Sequence, residues 1–455
     1  MLNLETLAFD LPEDVLKRKW AGDFEGEIKL IDALLEKDIP EILKERLLVE
    51  RRMIPLMQRQ FCYTRDEALQ LMREKIPDFT EEEFDALELD RQIEYIYVMG
   101  EKRYLRSFRS TLLKTRADIA ARAGSVNTAD AERLNKVIAE LKEKGTAAYR
   151  FHIRGQLDIE DDAFEKDAHF RVHLPVPQMC AQQSEIELHV EDAVSVDHER
   201  AHQRTAYYEC DLAQNKPFFV EYSYVNRIHY VDPLSGNAPE GHVYPNALPP
   251  EADDLSEQYP HIVFTPFLKA LADEIKGDET DPVRIAWKFY DYITTKIRYS
   301  FMRYYFLMDR HAEFCALNGK GDCGIQAILF ITLCRIAGIP ARWQSGLCVD
   351  PDHCGSHDWA QFYVEPYGWL FADLSYGGSA YRDGNKERRK FYFGNLDPYR
   401  MVANSRYQTG FAPAKKCDRW DPYDNQNGEI EMNGRELYSY EFDTNYVPLK
   451  IEKLD

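Results

Sequence analysis

The sequence lacks a long hydrophobic run. Its first twenty residues, MLNLETLAFDLPEDVLKRKW, mix acidic and basic residues among the apolar ones, which does not fit a secretory signal. No later stretch is long and apolar enough to span a bilayer. We therefore expect a soluble protein that has no membrane partner and is located in the cytoplasm.

Basic residues are in the minority. The chain has 57 lysines and arginines against 78 aspartates and glutamates, and its formal net charge is −21. A surface this acidic repels phosphate backbones and anionic lipid headgroups. Nucleic acid is therefore not expected as a partner.

The cysteines show no paired pattern. Nine of them, an odd number, are spread over the whole chain, so a disulfide framework is not expected and reduced thiols fit a cytoplasmic protein. At 455 residues the chain is too long for one ordinary core. We expect a multidomain α+β protein.

The N-terminal region, residues 1–147, is predicted to be a helical domain. Apolar residues recur there at three- and four-residue spacing. Thr64 and Thr80 are each followed three residues later by glutamate, which predicts two capping boxes. The tyrosine-rich stretch around Gly100 predicts a hairpin like that of winged-helix modules.

Residues 148–232 alternate polar and apolar residues between turn signals, which predicts a β-sandwich. Residues 233–265 are dense in proline, glycine, asparagine and aspartate, which predicts a linker. The last domain, residues 266–455, is expected to combine a buried helix, an antiparallel sheet wrapped around that helix, and a turn-rich C-terminal segment.

One cysteine lies at the start of the predicted buried helix. Cys323 follows the turn GKGD and precedes an apolar run that ends at Gly338. Backbone N–H groups and the helix dipole at this position favour an anion, so we expect a stabilised thiolate. His357 and Asp373 lie on consecutive strands on either side of the turn EPYGW, where an antiparallel hairpin brings their side chains together. The three residues match a nucleophile, a base and an orienting acid.

The segments GKGDCG, GIPARWQSG and SHDWAQFYVEPYGWLFADLS resemble the core motifs of the transglutaminase-like superfamily. The resemblance is specific over about residues 265–400 and implies a papain-like mechanism. In it, Cys323 attacks an amide or ester carbonyl, His357 transfers the proton and Asp373 holds the ring. Asp358 stands where a small residue is frequent in the family, and Leu374 and Ser375 stand where proline is frequent.

The predicted function is a cysteine-dependent amide hydrolase, a peptidase or amidase that acts through a thioester on a peptide or a small amide. Transfer of the acyl group to an amine is an alternative, as is a non-catalytic interaction protein that reuses the fold. Hydrolysis is favoured because no amine-binding tunnel is evident in the sequence. The oligomeric state stays open.

The sequence is less specific about the residues that surround the thiol. An oxyanion hole needs two donors, which we assign to the Cys323 backbone N–H and one tyrosine side chain. The candidates for the second donor are Tyr299, Tyr304 and Tyr305. The candidates for the walls of the pocket are Trp343, Trp359 and Trp369.

No metal or cofactor is expected. A zinc set could be drawn from Cys348, His353, Cys354 and His357, but its spacing lacks the paired intervals of zinc sites and would consume the base. An oxygen-rich group at residues 421–429 resembles a calcium loop without the ligand spacing of an EF-hand. A turn cluster is the favoured interpretation of that group.

Overall fold

The N-terminal region is built of short amphipathic helices. The structure, a computed structural model, describes residues 2–125, 129–237, 239–351 and 354–454. Both predicted capping boxes form, at Thr64 and at Thr80, each with the glutamate three residues on. The helices of this region are α1 (Glu13–Ala21), α2 (Phe24–Leu35), α3 (Glu41–Gln60), α4 (Arg65–Arg73), α5 (Glu81–Leu89), α6 (Phe108–Thr115), α7 (Ala117–Arg122) and α8 (Ala129–Lys144).

A small antiparallel sheet lies among these helices. Strands β2 (Tyr95–Val98) and β3 (Glu101–Leu105) form the predicted hairpin, in which Val98 pairs with Glu101. Strand β1 (Phe61–Tyr63) adds to the other side of β3. Gly100 lies in the turn at a φ of +86°, in the left-handed region that glycine tolerates.

Two antiparallel sheets follow. One has the strand order β19-β4-β9-β6 and the other the order β18-β17-β5-β8-β7. Their strands are β4 (Thr146–Ile159), β5 (Ala168–Pro175), β6 (Gln183–His189), β7 (Ser195–Val196), β8 (Thr205–Leu212), β9 (Phe218–His229), β17 (Glu429–Met432), β18 (Arg435–Leu437) and β19 (Phe442–Lys453). Alternating apolar residues of these strands are buried in the common core.

The C-terminal segment differs from the expectation. We expected it to belong to the last domain, but β17 pairs with β5 and β19 pairs with β4 along most of its length. The alternation in β19 identifies a strand, but it carries no information on a partner almost 300 residues earlier. Residues 266–404 are thus inserted between strands of the two earlier sheets.

The inserted region contains the buried helix and its sheet. The strand order is β15-β14-β13-β12-β16. The elements are α9 (Pro266–Lys276), α10 (Pro282–Lys296), β10 (Arg298–Tyr299), α11 (His311–Asn318), β11 (Lys320–Gly321), α12 (Cys323–Ile336), β12 (Ala341–Val349), β13 (Cys354–Val364), β14 (Gly368–Ala372), α13 (Leu374–Arg382), α14 (Lys386–Phe391), β15 (Phe393–Gly394) and β16 (Arg400–Asn404).

Helix α12 is enclosed on all sides. Every residue of it from Gly324 to Arg335 is buried, as the lack of a polar stripe predicted. Phe330 of this helix contacts Phe362 of β13 with ring centroids 5.7 Å apart, so the sheet covers one side of the helix. In the part of the chain that the structure describes, no helix has the length and hydropathy needed to cross a membrane.

Candidate active site

Cys323 is the first residue of α12. The side chain of Asp322 caps the helix, since its Oδ1 accepts a hydrogen bond from the backbone N–H of Ile325 at 3.2 Å. The hydroxyl of Tyr305 donates to the same oxygen at 2.5 Å. Cys323 is therefore held at the N-terminus of a helix whose first turn is fixed by the Asp322 cap and by the hydroxyl of Tyr305.

His357 and Asp373 form a buried pair. The pairing of Ala360 with Ala372 puts the two residues within two positions of perfect register, and His357 Nε2 lies 2.8 Å from Asp373 Oδ2. The guanidinium of Arg400 on β16 lies 3.1 Å from the same carboxylate oxygen. The hairpin geometry predicted from the sequence is thus present, with a cation added to it.

The surroundings shift the pKa values of both partners. Burial lowers the pKa of His357, and the Asp373 carboxylate opposes that shift. For Asp373, burial alone would raise the pKa, but His357 and Arg400 together outweigh it and hold the pKa below its usual value. The pair is therefore arranged as a neutral imidazole beside an ionised carboxylate at neutral pH.

The thiol of Cys323 contacts a residue that the mechanism inferred from sequence does not use. Its Sγ donates a hydrogen bond to Asp358 Oδ2 at 3.2 Å. Burial raises the pKa of Cys323 well above its usual value, Asp358 and Asp322 act in the same direction, and Lys114 opposes them. This differs from our expectation of a stabilised thiolate, because the burial of the sulfur outweighs the effect of the helix dipole.

Strand geometry explains why Asp358, and not His357, contacts the thiol of Cys323. Successive strand residues point to opposite faces, so Asp358 shares the face of Phe362, which packs on α12, while His357 starts from the other face. Among the described residues, no hydrogen bond joins the Cys323 and His357 side chains. Both nevertheless lie within the electrostatic reach of one ammonium group, because Lys114 lowers the pKa of each.

The three tyrosine candidates for the second oxyanion donor differ in their contacts. The hydroxyl of Tyr304 is directed to Ser439 Oγ, at 2.9 Å, and not to Cys323. Burial raises the pKa of Tyr299 and that of Tyr305 well above the usual value for tyrosine. The thiol of Cys323 and the carboxyl groups of Asp322 and Asp358 act in the same direction on both tyrosines. The Tyr305 hydroxyl already donates to the cap of α12, and the Tyr299 hydroxyl accepts from Lys114 Nζ at 3.3 Å.

The three tryptophan candidates separate as well. Trp343 lies beside the helix start, since its Cη2 would be 2.9 Å from a Cβ added to Gly324. Trp359 lies beside His357 with ring centroids 5.8 Å apart. Trp369 is held elsewhere, where its Nε1 donates to the Leu248 carbonyl at 2.8 Å.

The sequence does not predict a role for several of the residues that contact the site. Asp358 differs from the family pattern, but nothing in the sequence indicates its contact with Cys323. Arg400 and Gln426 come from the segment after the core motifs, and Lys114 comes from the N-terminal helices. No local pattern marks these three, because their contacts join residues 27 or more positions apart in the chain.

The groups considered as metal ligands make other contacts. Cys348 Sγ lies 3.1 Å from Tyr376 Oη and from Arg400 Nη1, and His353 lies outside the described residues. In the oxygen-rich group, Glu429 accepts from Lys415 and Arg419. Within the described ranges, no group of three or more His, Cys, Asp or Glu side chains is placed to hold a metal ion.

Comparison with known families supports the resemblance inferred from the motifs. Residues 269–374 match the model of the transglutaminase-like superfamily, which confirms that resemblance for the segment that holds all three proposed residues. None of the curated proteins compared with the chain matches it.

Comparison with solved structures gives distant similarities. A candidate cysteine protease from Cytophaga hutchinsonii is 12% identical, with 68% of this chain and 98% of that one covered and a TM-score of 0.41. The periplasmic domain of TgpA from Pseudomonas aeruginosa is 16% identical, with 56% and 96% covered and a TM-score of 0.27. A candidate protease from Parabacteroides distasonis is 10% identical, with 58% and 48% covered and a TM-score of 0.21.

Proposed function

We propose that the protein, whose residues 269–374 match the model of the transglutaminase-like superfamily, is a cysteine-dependent amide hydrolase with Cys323 as nucleophile, His357 as base and Asp373 as the orienting acid. The observation that carries the proposal is the buried pair of His357 and Asp373, 2.8 Å apart, at the end of the sheet that covers the helix begun by Cys323. The substrate class is a peptide or small amide. The cytoplasmic location stays a prediction.

The reaction would proceed in two stages. His357 takes the thiol proton, and the sulfur of Cys323 attacks the amide carbon. The carbon–nitrogen bond then breaks, and the amine leaves with the proton from His357, which gives a thioester. Water adds to the thioester with His357 as base, the carbon–sulfur bond breaks, and the acid and the thiol are released. Because the thiol donates its proton to Asp358 at rest, the first stage includes a rotation of the S–H bond toward the imidazole, while the sulfur stays beside Asp358.

The negative oxygen formed in each stage needs two donors. We assign one to the backbone N–H of Cys323 and the other to the hydroxyl of Tyr299. Lys114 donates to the Tyr299 oxygen, and among the described residues no acceptor takes the Tyr299 proton. The proton of Tyr305 is already given to Asp322. Tyr299 is therefore the better placed of the two tyrosines.

The test combines variants with selective alkylation. We expect iodoacetamide at neutral pH to label Cys323 faster than the other eight thiols, and His357→Ala to abolish that preference. Cys323→Ala and His357→Ala should each abolish turnover of an amide library, whereas Asp373→Asn should retain a small residual rate. Cys354→Ala is the matched control for loss of a thiol and should keep normal activity. Normal turnover by Cys323→Ala would overturn the proposal.

The same assay separates the alternatives. With a millimolar primary amine present, a hydrolase still releases mainly the free acid, while an acyltransferase gives mainly the amine adduct. Products are distinguished by mass spectrometry. Slow, unselective labelling together with no product from any substrate would favour a non-catalytic interaction protein.

A further inference from the structure

Asp358 is the side chain that hydrogen-bonds to the sulfur of Cys323. Its Oδ2 lies 3.2 Å from Sγ, and its other oxygen, Oδ1, accepts from Gln426 Nε2. Only 6% of Asp358 is exposed. The proposed mechanism gives this buried carboxyl group no task, although it touches the reacting atom.

The surroundings of Asp358 favour its neutral form. In the described part of the chain its side chain forms no ion pair, and its bonded partners are a thiol and an amide. The other ionisable groups that act on it or respond to it are Asp322, Asp421, Asp424, Tyr299, Tyr305 and Tyr407. A carboxylate that forms no ion pair and is surrounded by further carboxyl groups is costly to bury, even with the Lys114 ammonium within reach of the neighbouring Cys323. Burial and the neighbouring Asp424 accordingly raise the pKa of Asp358 well above its usual value.

Gln426 determines which oxygen of Asp358 carries the proton. Its Nε2 also donates to the backbone carbonyl of His357 at 3.0 Å. A carbonyl can only accept, so the amide nitrogen must face this side, and Oδ1 of Asp358 must accept as well. The proton of a neutral Asp358 therefore belongs on Oδ2, the oxygen that faces Cys323.

We propose that Asp358 is a further catalytic residue, a neutral carboxylic acid whose Oδ2 proton hydrogen-bonds to the sulfur of Cys323 when it is a thiolate. The inference rests on the thiol mechanism proposed above. At rest the thiol donates to Oδ2. When His357 takes the thiol proton, the sulfur can only accept, and the hydrogen bond reverses its direction while Asp358 keeps its own proton. The hydrogen bond then stabilises the anion that attacks the substrate.

The test measures the rate at which iodoacetamide alkylates Cys323 as a function of pH. Asp358→Ala removes the donor, so the thiolate pKa should rise by about one unit and the rate at neutral pH should fall about tenfold. Asp358→Asn keeps an N–H donor of similar size and should stay within about threefold of the wild type. Gln426→Leu frees the proton of Asp358 to move to Oδ1 and should also slow alkylation.

Faster alkylation of Cys323 in the Asp358 variants would overturn the inference. If Asp358 were an ionised carboxylate, its repulsion would be removed in both Asp358 variants, and both would be alkylated faster than the wild type. Asp443→Asn, which removes an exposed carboxylate, is the control for net charge and should change nothing. Circular dichroism verifies folding, and Asp358→Asn decides the sign if Asp358→Ala does not fold. If iodoacetamide did not label Cys323 of the wild type selectively, or if His357→Ala did not change that labelling, the proposed function itself would be contradicted.

Discussion

A methyl group added at Gly324 should disturb the site directly. Gly324 follows Cys323 in α12, and a Cβ there would lie 2.7 Å from Asp358 Oδ2 and 2.9 Å from Trp343 Cη2, and would also meet the hydroxyl of Tyr305. Real Cβ atoms do not approach other atoms this closely, so Gly324→Ala must displace the side chains that surround the nucleophile.

The size of the effect follows from two opposing terms. Replacing a helical glycine by alanine gains up to about 1 kcal/mol when space is free. Overpacking a filled site costs about 1–3 kcal/mol. Gly324→Ala should therefore lose up to about 3 kcal/mol of stability. The displaced Asp358 and the misplaced thiol should lower kcat/KM by about tenfold or more.

Gly378→Ala is the matched control. Gly378 is also helical, in α13, but its added Cβ would meet its nearest atoms at the ordinary distances of 3.6 and 3.8 Å. We expect this variant to be as stable as the wild type or slightly more so, and fully active. Thermal unfolding and the amide assay compare the two variants. Wild-type activity and stability in Gly324→Ala would refute the assigned packing around Cys323.

Two further predictions concern buried charges. Arg400→Gln removes the cation that contacts both Asp373 and Asp397, so unfolding in denaturant should show a loss of about 3–5 kcal/mol, and a loss below 1 kcal/mol would contradict the role of the ion pairs. Burial is the main cause that raises the pKa of Glu27 to about 8. Between about pH 4.5 and 8 the unfolded chain therefore binds fewer protons at this carboxyl group than the folded chain does, so the wild type loses stability as pH rises. Glu27→Gln should therefore gain stability relative to the wild type from pH 5 to pH 8, whereas Glu25→Gln, an exposed neighbour, should show no such trend in the same titration.

The core of the site was predictable because its determinants are local. A cap followed by an apolar run places Cys323 at a helix start, and the short turn after β13 fixes the register that joins His357 to Asp373. Each of these relations spans fewer than 20 residues. Helix periodicity, capping and hairpin register are sufficient to derive them.

The rest of the site depends on contacts that no local pattern encodes. Asp358 and Gln426 meet across 68 positions of the chain. Lys114 reaches Tyr299 from a helix 185 positions earlier. The raised pKa of Cys323 was not predictable either, because it comes mainly from burial of the sulfur in the folded protein, whereas the helix start alone would favour a thiolate.

The return of the last strands to the earlier sheets has a consequence for synthesis of the chain. The two sheets lack β17, β18 and β19 until residues 429–453 have been made, and the segment before these strands carries Gln426. A ribosome that has just finished β16 therefore holds a nascent chain with all three proposed triad residues but without the amide that orients Asp358. The thiol's surroundings are thereby completed only at the end of translation, and from the role proposed for Asp358 we expect the thiol of the nascent chain to be less reactive than that of the finished protein.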